Sequence, residues 1–122
     1  MFTAGLDHFT IWSDDAAQTR HFYCDILGLT EGQRPPLGFP GMWLYSANYP
    51  VVHVNLGENV NRNPEGAFDH VAFKGVGDPA PLVERLEREG IAYKAQTVAN
   101  GIRQVFCADP HGVKVEFNFP PA

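Results

Sequence analysis

Apolar and polar residues alternate with a period of two over 6–12, where Phe9 and Ile11 interleave with His8, Thr10 and Trp12. That period predicts a strand. Ser13-Asp14-Asp15 then supplies helix N-cap candidates, and Phe22, Tyr23, Ile26 and Leu27 fall at helical spacing within 16–27. Gly28 fits the left-handed stop of that helix. Residues 29–41 hold three glycines and three prolines, which predicts a loop with at most a short strand. Strand-like runs follow at 42–46 and 51–56. The pattern then starts again. Residues 68–74 read as a strand, Asp78 as an N-cap and Pro79 as the first helical position. Leu82, Val83 and Leu86 form a stripe to be buried, Glu84, Arg85, Glu87 and Arg88 face water, and Gly90 ends the helix. Three more strands are predicted at 91–94, 102–107 and 113–119, with a turn at Asp109-Pro110-His111-Gly112.

The recurrence is a duplication. Leu6-Asp7-His8-Phe9-Thr10-Ile11-Trp12 matches Phe68-Asp69-His70-Val71-Ala72-Phe73-Lys74 at an offset of 62 (70 − 8). Gly28 and Gly90 keep that offset, and Val52-His53-Val54-Asn55-Leu56 matches Val115-Glu116-Phe117-Asn118-Phe119 at 63 (116 − 53). Near-constant spacing over three anchors implies one module present twice. The predicted fold is α+β: a single domain over 1–122 built from two βαβββ modules, 6–60 and 67–120. Asn61 to Gly66 is the linker. The strands form a curved mixed sheet with the helices on its outer face.

Strand parity assigns the faces. Phe9, Ile11, Leu44, Val52, Val54, Leu56, Val71, Phe73, Val105, Cys107, Val113, Val115, Phe117 and Phe119 share one face, which is apolar throughout and must form the core. A register slip of one residue would expose all of them. The opposite face carries His8, Thr10, Trp12, Trp43, Tyr45, His53, Asn55, His70, Ala72, Lys74, Gln104, Phe106, Lys114, Glu116 and Asn118. An ordinary solvent face holds more Lys, Glu and Thr and less His and Trp, so this face reads as the lining of a binding cup.

Within that lining, His8, His53, His70 and Glu116 occupy matched positions of the duplicated unit. Imidazole and carboxylate are ligands for Zn²⁺, Fe²⁺, Mn²⁺, Ni²⁺ or Co²⁺. Taken singly, each histidine is more often a hydrogen-bonded core or surface residue, and Glu116 a solvated acid beside Lys114. Taken together on rigid strands, the four point to one divalent metal ion.

Composition narrows the partners. The chain has 122 residues, 44% hydrophobic and 19% charged, enough for one core without staples. Nine Lys and Arg against 14 Asp and Glu give a net charge of −5, a poor match to a nucleic-acid backbone. Two distant cysteines, Cys24 and Cys107, make no disulfide framework and read as apolar fillers. No apolar run spans a membrane and the N-terminus lacks signal-peptide features, so the expected location is cytoplasmic.

Two stretches carry a family resemblance. Phe22-Tyr23-Cys24-Asp25-Ile26-Leu27-Gly28-Leu29 is similar to an FYxDxLGL helix end. The run from Gln104 to Glu116 is similar to a QxFxxDPxGxxxE ending. With the duplicated βαβββ order, they resemble the vicinal oxygen chelate superfamily. It includes glyoxalase I, bleomycin-resistance proteins, fosfomycin-resistance enzymes, methylmalonyl-CoA epimerase and extradiol dioxygenases. The resemblance implies a cup holding one divalent ion on His8, His70 and Glu116, with His53 at a fourth ligand position. It implies bidentate binding of a small oxygenated substrate, and often a homodimer in which a cup can draw on both chains.

Those residues favour an extradiol-like dioxygenase, because His8, His70 and Glu116 form the facial set of open-site ferrous oxygenases and Trp43 and Tyr45 suit a flat ring. A bound His53 would leave about two positions, too few for a bidentate substrate and O₂. The alternatives are a glyoxalase- or epimerase-type isomerase or lyase, with Glu116 or His53 as base, and a metal-free drug-binding protein. Expected catalytic residues are Glu116, His53 and Tyr45. Expected substrate contacts are Thr10, Trp12, Trp43, Tyr45, Asn55, Gln104, Phe106 and Asn118. Arg34, in a Pro- and Gly-rich stretch to Gly41, is either part of a substrate lid, meeting a carboxylate, or of a stiff connector. Arg103 and His111 are expected at the surface, and Asp7 and Asp69 as locally hydrogen-bonded strand starters.

Overall fold

The computed structural model describes residues 2–58, 67–108 and 114–122. Its strands form an eight-stranded mixed sheet. The expected linker at 61–66, the turn at 109–112 with His111, and Val113 lie outside the described residues. The chain divides into two compact units, His8–Asp69 and a second made of Met1–Asp7 with His70–Ala122. Strand β1 (Thr3–Ser13) runs through both. It begins earlier than the alternation alone predicts.

In the His8–Asp69 unit, β2 (Thr30–Gly32), β3 (Gly41–Ser46) and β4 (Tyr49–Leu56) follow β1. The order is β2-β3-β4-β1, with β1 and β4 parallel and the other pairs antiparallel. Phe9 pairs with Val52 and Trp43 with His53, so the predicted faces hold along these strands. Met42, Leu44, Val52 and Val54 are fully buried, and Ile11, Ala16, Tyr23, Cys24, Leu29 and Leu56 pack on them.

The first helix departs from the expected 16–27. Helix α1 (Ala16–Arg20) starts at Asp15, whose carboxylate accepts the Gln18 amide, and passes into a π-helical turn at His21–Ile26. The wider turn brings the adjacent Tyr23 and Cys24 onto the core and leaves Phe22, Ile26 and Leu27 exposed. Gly28 ends it at φ 86°, where a side chain would be strained. Phe9 also departs from expectation: although its parity is apolar, it is 36% exposed.

In the other unit, the start of β1 is followed in the sheet by β5 (Phe68–Gly75), β8 (Lys114–Phe119), β7 (Arg103–Ala108) and β6 (Tyr93–Thr97). β5 and β8 are parallel; β7 pairs antiparallel with both β8 and β6. Helix α2 (Ala80–Arg88) buries Leu82 and Leu86 against Val105 and Phe119, with Val83, Cys107 and Phe117 alongside. The helix begins one residue later than expected, with Pro79 rather than Asp78 at the N-cap, and Asp78 accepts the Ala80 amide at 2.8 Å from the position before it. Arg103, expected at the surface, is half-buried and bonded. Its Nε donates to the Pro120 carbonyl at 2.9 Å and its Nη1 to Asp78 at 3.2 Å, which holds the strand start against the helix start. Both cysteines are half-buried fillers, and burial raises the Cys107 thiol above its usual pKa of 9.0.

Candidate metal centre

The polar sheet face is drier than a solvent face. His8 is 4% exposed, His70 8% and Glu116 4%, with Thr10 and Ala72 also buried. Buried ionisable groups persist where they are paired or coordinated. His70 and Glu116 stand on β5 and β8, where Ala72 lies directly beside Glu116. His70 Nε2 and Glu116 Oε1 are 2.9 Å apart. His8 follows Asp7 directly along β1. The ligand-type atoms of His8, His70 and Glu116 all lie within 4.8 Å of one another.

This arrangement fits a divalent ion. Ligands about 2.1 Å from a metal sit about 3 Å apart when adjacent, close to the His70–Glu116 separation. The set holds two imidazoles and one carboxylate, the donors that imidazole-preferring transition metals take. Strand backbones fix all three positions, so little side-chain freedom is lost on binding.

His53, expected as a fourth ligand, is not part of this group. Its ring stacks on His8 at 3.5 Å and on Trp43 at 4.0 Å between ring centres, each tilted by only 12°. The β3-β4-β1 order puts the three rings in a row with His53 in the middle. Tyr45, the other expected catalytic side chain, donates its hydroxyl to the Gln33 carbonyl. Trp43 and Asn55 are half-buried on the same face, as are Phe106 and Asn118 on their own strands, and Trp12 is exposed at its rim.

Two expected substrate contacts are engaged elsewhere. Gln96 donates to Gln104 at 2.7 Å, Gln104 to Asn118 at 3.2 Å, and Asn118 to Asp7 Oδ2 at 3.0 Å. This amide chain crosses from β6 to β1 and ends on the residue before His8. Asp7 is buried, and this partner is 111 positions away in sequence. Asp69 likewise accepts the Trp12 indole N–H at 3.0 Å across 57 positions. Matched parity of Gln104 and Asn118 on antiparallel neighbours was the available sequence signal for the ladder, and Asp7 lies off that pattern.

A sequence profile of the glyoxalase/bleomycin resistance protein/dioxygenase superfamily matches residues 5–117. The chain belongs to this superfamily. No curated protein matches it. Among solved structures, the methylmalonyl-CoA epimerase of Mycobacterium tuberculosis is similar at 22% identity and TM-score 0.70, over 98% of this chain and 90% of that one. The homoprotocatechuate 2,3-dioxygenase of Arthrobacter globiformis is similar at 23% identity and TM-score 0.73, over 98% of this chain and 37% of that one. The 2,3-dioxygenase LapB of Pseudomonas sp. KL28 is similar at 16% identity and TM-score 0.78, over 100% of this chain and 42% of that one. The chain thus spans well under half of each of these two dioxygenases. These likenesses establish the glyoxalase-like fold. No helix among the described residues is long and apolar enough to cross a membrane.

Proposed function

We propose that the chain is a divalent-metal-dependent enzyme acting on a small oxygenated substrate, with His8, His70 and Glu116 as the ligands and extradiol-type ring cleavage as the reaction. One observation carries this reading. The three buried donors converge within 4.8 Å while His53 is held in a ring stack. Three protein ligands on a six-coordinate ion leave about three positions, enough for two vicinal oxygens and O₂. A divalent ion bound here supplies positive charge that stabilises an ionised substrate oxygen and, as Fe²⁺, the redox capacity that oxygenation needs.

The chain's own residues orient and exclude. Trp43 offers a flat apolar wall, and Thr10 and Asn55 offer polar contacts on the same face. The stacked His53 imidazole serves to take the proton of a substrate hydroxyl, its plane fixed by Trp43. Tyr45 acts through its ring, since its hydroxyl is held by Gln33. The test is oxygen uptake by Fe²⁺-loaded protein with catechols, expected at one O₂ per ring opened and abolished in His70→Ala. Loaded, folded protein that opens no catechol ring would refute it.

A second reading is favoured by a different observation: chain and epimerase cover each other almost end to end. It makes the protein an isomerase or lyase in which His53 moves a proton at a carbon beside a carbonyl. Anaerobic turnover of a hemithioacetal, or solvent-proton exchange next to a thioester, would select it. A metal-free drug-binding role would leave protein purified without chelator devoid of metal.

The chain is also proposed to be one cytoplasmic domain that forms a homodimer. Exposed Phe22, Ile26 and Leu27 on one turn supply apolar surface for a second copy. Light scattering checks the dimer, and a monomer at micromolar concentration contradicts it.

A further inference from the structure

Arg34 lies in the segment between β2 and β3, within the His8–Asp69 unit. Its Nε and Nη2 are both buried and neither has a hydrogen-bond partner. Burial lowers the guanidinium's pKa from its usual value. Unsatisfied buried donors are uncommon in folded proteins, and charged ones more so. In a planar guanidinium, Nε and Nη2 carry parallel N–H bonds along one edge. That edge is a fork matched to the two oxygens of a carboxylate.

The surroundings preserve this edge. A Cβ on Gly41 would collide with the Val54 carbonyl oxygen and lie 2.8 Å from Arg34 Nη2, so glycine is required there by the neighbouring strand and the guanidinium packs against its bare Cα. The Phe39 ring holds the other side, 4.9 Å from Cζ. Gly41 pairs with Asn55 and shares strand parity with Trp43, so the fork sits at the end of the face that carries Trp43, His53 and Asn55.

We propose that Arg34 is a specificity residue that receives the carboxylate of an anionic substrate, side-on through Nε and Nη2. This rests on the reading above that the polar face binds a small oxygenated molecule. It narrows that molecule to a carboxylic acid, in the simplest form a dihydroxylated aromatic acid.

The test is a tryptophan-fluorescence titration of the metal-loaded protein with 3,4-dihydroxybenzoate, its neutral amide 3,4-dihydroxybenzamide, and inorganic phosphate. The wild type is expected to bind the acid at least tenfold tighter than the amide. Arg34→Gln should abolish that preference while the amide affinity and the melting temperature hold. Arg34→Lys, with charge but no fork, should recover only part of it. Equal binding of acid and amide by the wild type, or a preference that survives in Arg34→Gln, overturns the proposal. Phosphate displacing the acid at equal concentration would overturn the carboxylate assignment in favour of a phosphate seat. Because the titration reads binding, a retained acid preference without oxygen uptake would refute the oxygenase reading and leave Arg34 standing. Oxygen uptake without acid preference would do the reverse.

Discussion

Replacing Asn118 with alanine separates a structural role from a substrate-binding one. Asn118 accepts from Gln104 at 3.2 Å and donates to Asp7 at 3.0 Å. The neutral bond is worth about 0.5–1.5 kcal/mol and the bond to a carboxylate about 1.5–3 kcal/mol. Asp7 is only 8% exposed, so solvent replaces the lost donor poorly. The expected loss is about 2–4 kcal/mol, or on the order of 10 °C in melting temperature for a chain of this length. Urea denaturation followed by circular dichroism measures it, and the slope should stay constant if the unfolded state is unchanged. Gln104→Ala, which loses two neutral bonds but spares the Asp7 bond, should cost less. A loss below about 0.5 kcal/mol for Asn118→Ala, with only substrate affinity altered, would refute the amide chain as a structural element.

Leu44 is fully buried in the core of its unit, so Leu44→Ala should cost about 2–5 kcal/mol by the same assay. A cost under 1 kcal/mol would mean that β3 and β4 do not pack as described. Burial raises the ionisation of Cys107 above 9.0 and of Tyr23 above 10.0. A raised folded-state pKa gives stability that is complete below the unfolded pKa and lost as pH rises through the folded one. The urea midpoint should therefore fall from pH 8 to pH 10.5, less steeply in Cys107→Ala. A midpoint equally pH-sensitive in both proteins contradicts the burial argument for the thiol.

The duplicated architecture was legible because parity and spacing are local rules. His8 and His70, 62 positions apart, and the pairs Trp43–His53 and Phe106–Glu116 follow from period-two alternation, and their registers match it. Two kinds of feature were not legible. The π-helical turn depends on which of Phe22, Tyr23 and Cys24 the core admits, a packing outcome that 3.6-residue spacing does not encode. Partners of Asp7, Asp69 and Arg103 lie 111, 57 and up to 26 residues away, so no window along the chain reveals them. His53 shows the same limit within the site. Its residue type and matched position suit a ligand, whereas its ring plane is set by Trp43 on the neighbouring strand. Arg34 was open between lid and connector, and the orphaned edge of its guanidinium is visible only in three dimensions.

His8, His70 and Glu116 are proposed to hold one divalent ion without His53. Elemental analysis of protein purified without chelator tests this most directly, on the wild type and on folded His70→Ala, Glu116→Ala and His53→Ala. About one ion per chain is expected in the wild type and in His53→Ala, and almost none in the other two. A metal-free wild type, or metal lost from His53→Ala as fully as from His70→Ala, would contradict it.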